Sequence, residues 1–295
     1  MTSFSPLEES CRLISVLCVW GINSDRICLN HINNGVLCIA SLHPRPLSML
    51  AKMCTLLLSA LLVTAGSLVG RAPPKVIESC VQPNTVAMTF DDGPYIYQTV
   101  VSDVLTKYNV TGTFFVNGDN YDCIYDSDVV DRLRYTFMAG HQIASHTWSH
   151  PNLKKLSANK ITEEIVRLDT ALLAILGIRT NFMRPPYGNY NTLVRQTAAD
   201  QNKTLITWDW DSGDSVGESY QDSETDYDKI VAEHPTTLLA LNHETEKNTA
   251  HYLVEYAVTK LLDAGYKLVT VAECLDLPLY ASQGPFGTRD STWQC

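Results

Sequence analysis

The chain has no basic excess, no internal repeat, no low-complexity linker and no charge block. Its formal charge is −10 over 295 residues, from 22 lysines and arginines against 32 acidic side chains. Residues 1–72 hold five basic and three acidic side chains, so residues 73–295 carry −12. A nucleic-acid binder needs a basic footprint to meet phosphates. The balance argues against nucleic acid, but not against a neutral or cationic polysaccharide. The chain also lacks a long apolar run. The longest, CTLLLSALLVTAGSLVG over residues 54–70, falls short of the roughly 20 residues that span a bilayer, so no stable membrane insertion is expected.

That run has a different use. Met49-Leu-Ala-Lys52-Met53 supplies a short positive leader, and small residues precede Arg71-Ala72-Pro73. Residues 49–72 therefore read as a secretory signal peptide, with an uncleaved anchor as the alternative. Signals begin at an initiator, which makes Met49 or Met53 the expected start. Residues 1–48 have no clear periodicity and no motif, and stay unassigned; an N-terminal extension with its own role is the alternative. Of nine cysteines, Cys11, Cys18, Cys28, Cys38 and Cys54 lie before the expected cleavage region. Cys80, Cys123, Cys274 and Cys295 remain, an even set suited to an oxidising compartment. Four cysteines allow three connectivities. Asn109-Val-Thr and Asn202-Lys-Thr are glycosylation sequons, which fit an extracellular or cell-wall location but also occur by chance.

Residues 73–295 read as one domain. Short apolar runs recur at VAMTF (86–90), GTFFV (112–116), HQIAS (141–145), TNFMR (180–184), TLITW (204–208), TTLLAL (236–241) and YKLVTV (266–271). Their β-branched and aromatic content and polar bounds suit buried strands. Between them lie helical patterns at 98–108, 126–139, 158–177, 191–201 and 249–264. The clearest has Ile161, Ile165, Leu168, Leu172 and Leu176 on one face, Ser157 as a cap and Gly177 at its close. Strand and helix alternating about seven times predict parallel strands with crossover helices. A distorted (β/α)7 barrel is the expected α/β fold, and an open doubly wound sheet is the alternative.

Polar residues collect where those strands end. Asp91-Asp92 follow VAMTF, His146 follows HQIAS, and Arg184-Pro-Pro-Tyr187 follow NFM. Asp209, Asp211 and Asp214 follow TLITW, and Asn242-His243-Glu244 close TTLLAL. In a β/α barrel the C-terminal strand ends share one face, where active sites form. Adjacent carboxylates such as Asp91 and Asp92 oppose each other's ionisation; a bound cation offsets this, whereas an exposed acidic D-D-G-P turn is the bland explanation. In HTWSH, His146 and His150 are four apart, so a helical turn would face both imidazoles the same way. Two histidines and a carboxylate with an open position make a catalytic zinc pattern, and an ordinary exposed or core histidine pair is the bland alternative.

A metal with a water suggests hydrolysis, which also needs a base and an acid. Asp91 or Asp92 could be the base, and His243 the acid. Arg184 could hold the base ionised. Each has a structural alternative: a core histidine, a surface ion pair, or loop caps for Asp211 and Asp214. Paired carboxylates also serve glycosidases, but neighbours in sequence are poorly placed to flank a sugar from both faces.

TFDDGP, HTWSH, RPPYG, WDWDSGD and LNH, in this order, resemble the five motifs of the polysaccharide deacetylases of carbohydrate esterase family 4, the NodB-homology domain, in a form closest to fungal chitin deacetylases. The resemblance runs from about Val86 to Val271. It implies metal-dependent removal of N-acetyl groups from polymers of N-acetylglucosamine, on a distorted (β/α) barrel, with chitin or a chito-oligosaccharide as partner. It implies Asp91 as general base, and Asp92, His146 and His150 as ligands of a divalent metal, zinc first and cobalt as a substitute. Arg184 resembles the residue that tethers the base, and Tyr187 the one whose backbone N–H meets the oxyanion. Leu241 resembles a lining of the acetate-methyl pocket, His243 the general acid, and Asp211 the carboxylate that tunes it, with Asp214 left open for that role. The resemblance also implies a Cys80–Cys274 disulfide, and with it Cys123–Cys295. One departure stands out: the fourth motif commonly ends Asp-Trp, and here Ser215 follows Asp214. The pocket aromatic then has to come from elsewhere, such as Trp208, Trp210 or Trp148. Peptidoglycan or acetylxylan as the polymer, and a non-catalytic chitin-binding protein, are the alternatives. A monomer is expected.

Overall fold

The computed structural model describes residues 74–295 and, nearer the N-terminus, the backbone of three short strands. These are β1 (Leu17–Trp20), β2 (Arg26–His31) and β3 (Leu37–Ile39), an antiparallel meander. They belong to a compact unit, Met1–Arg71, distinct from a second unit, Ala72–Cys295. The expected signal peptide lies outside the described residues.

The second unit alternates strand and helix. In chain order it contains β4 (Thr85–Asp91), α1 (Gln98–Lys107), β5 (Thr113–Val116), α2 (Ser127–Met138), β6 (Gln142–Ser145) and α3 (Ala158–Leu176). There follow β7 (Ile178–Thr180), β8 (Phe182–Met183), α4 (Thr192–Asp200), β9 (Thr204–Leu205), β10 (Trp210–Asp211) and α5 (Tyr220–Glu233). Last come β11 (Thr237–His243), α6 (Val254–Asp263), β12 (Lys267–Leu268), α7 (Val271–Leu275) and β13 (Tyr280–Gln283). The main sheet is parallel, in the order β10-β11-β4-β5-β6-β8-β9, with β12 pairing the first residues of β4. It curls into a half-barrel with helices outside, so the barrel expectation holds over the open sheet.

The central strands are covered on both faces, which is why they read as continuous apolar runs rather than alternations. All seven residues of β4 are buried. The pleat divides them. Val86, Met88 and Phe90 join the cluster under the helices, with Leu105, Leu133, Leu172 and Leu261. Ala87 points into the barrel, where it packs with Phe115, Ala144, Phe182, Ile206 and Leu239. Helix α7 closes the lower end of that interior with Val271, Ala272 and Leu275. Two residues further up, the period of two keeps Thr89 and Asp91 on the inner face of β4, and Leu241 and His243 on that of β11. The register sets His243 directly beside Asp91. The barrel is thus apolar at its base and ionisable at its mouth.

Helix α3 buries the five apolar residues that its spacing singles out. Gly177 ends it with φ of 72°, the left-handed conformation that glycine adopts freely. Ser157 occupies the N-cap position, but its side chain makes no capping hydrogen bond. Helix α5 was not expected from the sequence. Only Ser223 and Tyr227 of its fourteen residues are buried, so it has no apolar stripe to read; a reciprocal Ser219–Asp222 capping box starts it instead. Both sequon asparagines are exposed and left-handed, Asn109 (φ 53°) after α1 and Asn202 (φ 57°) after α4. Asparagine tolerates that backbone, so each serves the turn whether or not it carries a glycan.

Two disulfides form, Cys80–Cys274 and Cys123–Cys295. The first staples the segment before β4 to α7 at the closed end of the barrel. The second fastens the C-terminal tail, where Trp293 is buried against the Tyr125 ring at 5.6 Å. Replacing Cys123 and Cys295 by serine is expected to lower the unfolding free energy by about 2–5 kcal/mol, read as an earlier urea midpoint, with the gap to the wild type closing when both proteins are reduced.

Candidate active site

The mouth of the barrel is organised by one buried cation. Arg184, at the end of β8, is fully buried. Its Nη1 donates to Asp91 Oδ1 (2.7 Å) and Thr89 Oγ1 (2.6 Å), and its Nη2 to the Thr207 carbonyl (2.8 Å). Its guanidinium lies over the Phe115 ring at 4.2 Å. A buried carboxylate needs such a partner. The other oxygen of Asp91, Oδ2, faces His146 Nε2 at 3.6 Å.

His146 is itself oriented from behind: its Nδ1 donates to the Arg184 carbonyl at 2.8 Å. That leaves Nε2 facing the site, the arrangement by which outer hydrogen bonds fix a ligand histidine. Asp92 Oδ1 lies 3.4 Å from His146 Nε2 and 3.1 Å from His150 Nε2. The three donor atoms fall within 4.8 Å of one another. Burial opposes ionisation of Asp92, yet the two imidazoles hold its carboxyl far below the usual range. Its Oδ1 is buried with no hydrogen-bond partner among the described residues. An orphaned carboxylate oxygen opposite two imidazole nitrogens is a donor set for a divalent cation, and the residues fit one.

His146 and His150 do not converge through a helical turn, as their spacing suggests. HTWSH is a loop beyond β6, bent by left-handed residues at Thr147 (φ 73°) and His150 (φ 54°). Its Trp148 is buried, stacks on Arg167 at 4.0 Å and fills the space beside Gly118, where a Cβ would come within 2.0 Å of the ring. Ser149 bonds Glu164 of α3 through both its N–H and its hydroxyl. Asp92 and Tyr187 are also left-handed. Four of the nine such non-glycine residues among those described thus sit at this one site, a concentration of backbone strain typical of functional positions.

Across the mouth, His243 Nδ1 donates to Asp214 Oδ1 at 2.8 Å. The His243 backbone N–H and the Thr249 hydroxyl both donate to Asp214 Oδ2. Burial alone would depress the imidazole, but Asp214, aided by Asp91 and Asp92, pushes it up to about 9. Its Nε2 is left to face the site.

The comparisons with known proteins agree with this geometry. The pattern described as "Polysaccharide deacetylase" matches residues 78–206. A chitin deacetylase of Pestalotiopsis sp is 38% identical over 207 residues, covering 68% of this chain and 66% of that protein. The chain belongs to the polysaccharide deacetylase family. A probable peptidoglycan-N-acetylglucosamine deacetylase of Arthroderma benhamiae is 36% identical, over 69% of this chain and 47% of its own length. The chain therefore spans about half to two thirds of these relatives. The solved chitin deacetylase of Colletotrichum lindemuthianum superposes with a TM-score of 0.66 at 29% identity, covering 69% of this chain and 92% of the other.

Against this polysaccharide deacetylase scaffold, most residues expected at the site stand at the mouth, and one does not. Asp211 is not the partner of His243. It is exposed at the end of β10, where its Oδ1 accepts from the Gly213 N–H in a local turn. Asp214, three residues on, returns to β11 and makes the contact. Leu241 is buried one layer below His243, opposite Thr89. The Tyr187 ring is exposed and meets His150 edge-on at 4.6 Å. Of the three tryptophans, Trp148 is core and Trp210 packs on Tyr227 at 4.3 Å. Trp208 alone lies against the RPPYG loop, close enough to Gly188 that a Cβ there would fall 2.8 Å from the ring.

Three further residues support the site. Thr89 shares Arg184 with Asp91 and donates to the Ala240 carbonyl. Asn117 is buried; its backbone N–H holds the Gly93 carbonyl, and its side-chain amide holds the carbonyls of His146 and Thr147. It therefore ties the Asp92 loop to the histidine loop. Glu244 is fully buried beside Gly93, whose Cβ, if present, would fall 1.4 Å from Glu244 Oε1, and burial pushes its carboxyl well above the usual range. Thr89 opens TFDDGP and Glu244 directly follows LNH, whereas Asn117, just past GTFFV, stands in no motif.

Two outcomes follow. In metal-free protein, Asp214→Asn should bring the His243 titration, followed by NMR, down from about 9 toward or below the ordinary value of about 6.5. Arg184→Met should cost about 3–5 kcal/mol of stability in denaturant unfolding, because Asp91 is left buried without its cation.

Proposed function

We propose that this protein is a secreted, metal-dependent N-deacetylase of chitin or chito-oligosaccharides, releasing acetate and leaving glucosamine units. One observation carries the reading: Asp91 has one oxygen tied to Arg184 and the other turned toward the Asp92–His146–His150 cluster. A base is thereby held beside the candidate metal site without being consumed as a ligand. The family and the relatives named as chitin deacetylases support the substrate class.

Asp92, His146 and His150 would hold the metal, zinc by its donor set and cobalt as a substitute. When bound, the cation would polarise the acetamide carbonyl and make a water more acidic. Asp91 Oδ2 takes the proton of the attacking water, and Arg184 keeps that carboxylate in place. The backbone N–H of Tyr187 donates to the developing oxyanion, a role with large leverage on rate. Leu241 gives the acetyl methyl an apolar seat. His243 Nε2 passes its proton to the departing amine, while Asp214 fixes the tautomer through Nδ1 and keeps the ring charged. Trp208 supplies the aromatic wall missing after Asp214.

Residues 73–295 act as the catalytic domain in this reading, with residues 49–72 directing secretion and Asn109 and Asn202 available for glycosylation. The two disulfides support an oxidising destination. Among the described residues no helix is long and apolar enough to cross a membrane. A peptidoglycan-type N-acetylglucosamine polymer is the second reading, favoured by the 36% identical relative with that name.

Acetate release from N-acetylglucosamine oligomers should disappear with a chelator and return with added zinc. Asp91→Asn should lower kcat by about 10²–10⁴-fold. Because the acid must enter protonated, kcat/KM should fall as pH rises through the His243 value of about 9, and earlier in Asp214→Asn. Acetate release indifferent to both chelator and Asp91→Asn would refute the assignment.

A further inference from the structure

The segment that follows β13 has almost no core of its own. From Ala281 to Cys295 only Trp293 is buried and Gly287 half-buried; the other residues are exposed. Such a segment frays unless it is tied down. The ties that hold it converge on one place. Midway, the Gly287 carbonyl accepts from Arg134 Nη2 at 2.8 Å. Further on, the fastenings meet the loop after β5 and the surface of α3. Cys295 is disulfide-bonded to Cys123, and its Sγ lies 3.6 Å from the Gly118 carbonyl. The Trp293 ring packs on Tyr125 at 5.6 Å. Arg289, whose guanidinium lies 5.2 Å from the Trp293 ring, donates to the Tyr125 carbonyl. The Cys295 carbonyl accepts from Nη2 of Arg167, on α3, at 3.4 Å.

That place is the seat of the histidine loop. The N–H groups of Gly118 and Asp119 both donate to the Trp148 carbonyl, at 2.9 and 2.8 Å. The Trp148 ring fills the space beside Gly118 and lies 6.2 Å from the Tyr125 ring. Arg167, which reaches the Cys295 carbonyl, stacks on the same indole at 4.0 Å. Trp148 therefore rests on two supports, and both are fastened to the segment that ends in Trp293 and Cys295. Trp148 is also the midpoint of HTWSH, with His146 two residues before it and His150 two residues after. Thr147 and His150 are left-handed, and such backbone persists only where the surroundings over-determine it. A tail tied down for stability alone could be fastened anywhere on the domain. This one is fastened where the two histidines of the candidate metal site are seated.

We propose that residues 284–295 brace the candidate metal site: Trp293 and Cys295, acting through Tyr125, Gly118 and Arg167, hold Trp148 and so position His146 and His150 for a divalent cation. These are positioning residues, none of which touches the cation. The inference rests on the reading of Asp92, His146 and His150 as metal ligands. It is tested on the full chain, stripped of metal and titrated with zinc against a competing chromophoric chelator, with folding checked by near-ultraviolet circular dichroism. Removing an outer contact that orients metal-binding side chains typically weakens metal affinity by about 10–100-fold. Trp293→Ala, and the Cys123→Ser/Cys295→Ser pair, should therefore raise the zinc Kd by about tenfold or more. Trp293→Phe, which keeps a ring against Tyr125, should restore most of the affinity. If Trp293→Ala does not fold, Arg167→Ala on the exposed face of α3 removes both the stack on Trp148 and the bond to the Cys295 carbonyl, and carries the same expectation. An unchanged zinc Kd in the folded variants overturns the brace, even where their urea midpoint falls. If the wild type binds neither zinc nor cobalt, the metal-site reading fails on its own, and hydrogen exchange decides the brace. Faster exchange of the Gly118, Asp119 and Trp148 amides in Trp293→Ala or Arg167→Ala supports a segment that holds the histidine loop, and unchanged exchange overturns it.

Discussion

The Arg184–Asp91 ion pair is the constraint on which the mouth of this barrel depends. A guanidinium with no exposure must be matched by acceptors, and it finds three of them: Asp91 and Thr89 of β4, and the carbonyl of Thr207. Burying two charges costs more than their attraction returns unless the surrounding hydrogen bonds are complete. Here the cost yields placement. The carbonyl of the same arginine accepts from His146 Nδ1, so a single residue positions both the proposed base and one proposed metal ligand. Stability and function draw on the same contacts, which is why Arg184→Met is a stability experiment as much as a catalytic one.

On either side of that pair the two proton-handling groups are separated by environment. Asp91 is paired with the buried Arg184 guanidinium, while His243 is charged by a carboxylate behind it. The parallel register places them side by side on neighbouring strands. The proposed base and acid are thus set on adjacent strands over the same opening, and the strand pairing fixes them side by side. The strain collected at Asp92, Thr147, His150 and Tyr187 is supported by the rigid framework around it: Asn117 bridging the two loops, Glu164 and Gly118 receiving HTWSH, and Glu244 filling the space beside Gly93.

Much of this could be read in the residues before any coordinates. The seven apolar runs predicted the strands because central parallel strands are covered on both faces, and the periodicity of α3 was unmistakable. Polar residues massed after strand ends located the mouth. Helix α5 escaped because a helix lying on the surface with one buried tyrosine has no stripe. The spacing of the histidine pair predicts a helical turn that the structure replaces with a loop, since spacing carries no record of two left-handed residues held by contacts to α3 and Gly118. Asp211 and Asp214 lie in the same short motif, and only the return of the loop onto β11 decides between them.

The amino-acid sequence by itself determined the alternation of strand and helix, the parallel sheet and the identity of the ionisable groups at one end, because burial period and chain direction are local properties of the residues. It also carried, in five ordered motifs, the mark of the polysaccharide deacetylases. Tertiary structure alone decided which carboxylate meets His243 and which tryptophan lies against the site. Those are relations between residues distant in the chain, fixed by strand register and loop closure, and no local pattern encodes them.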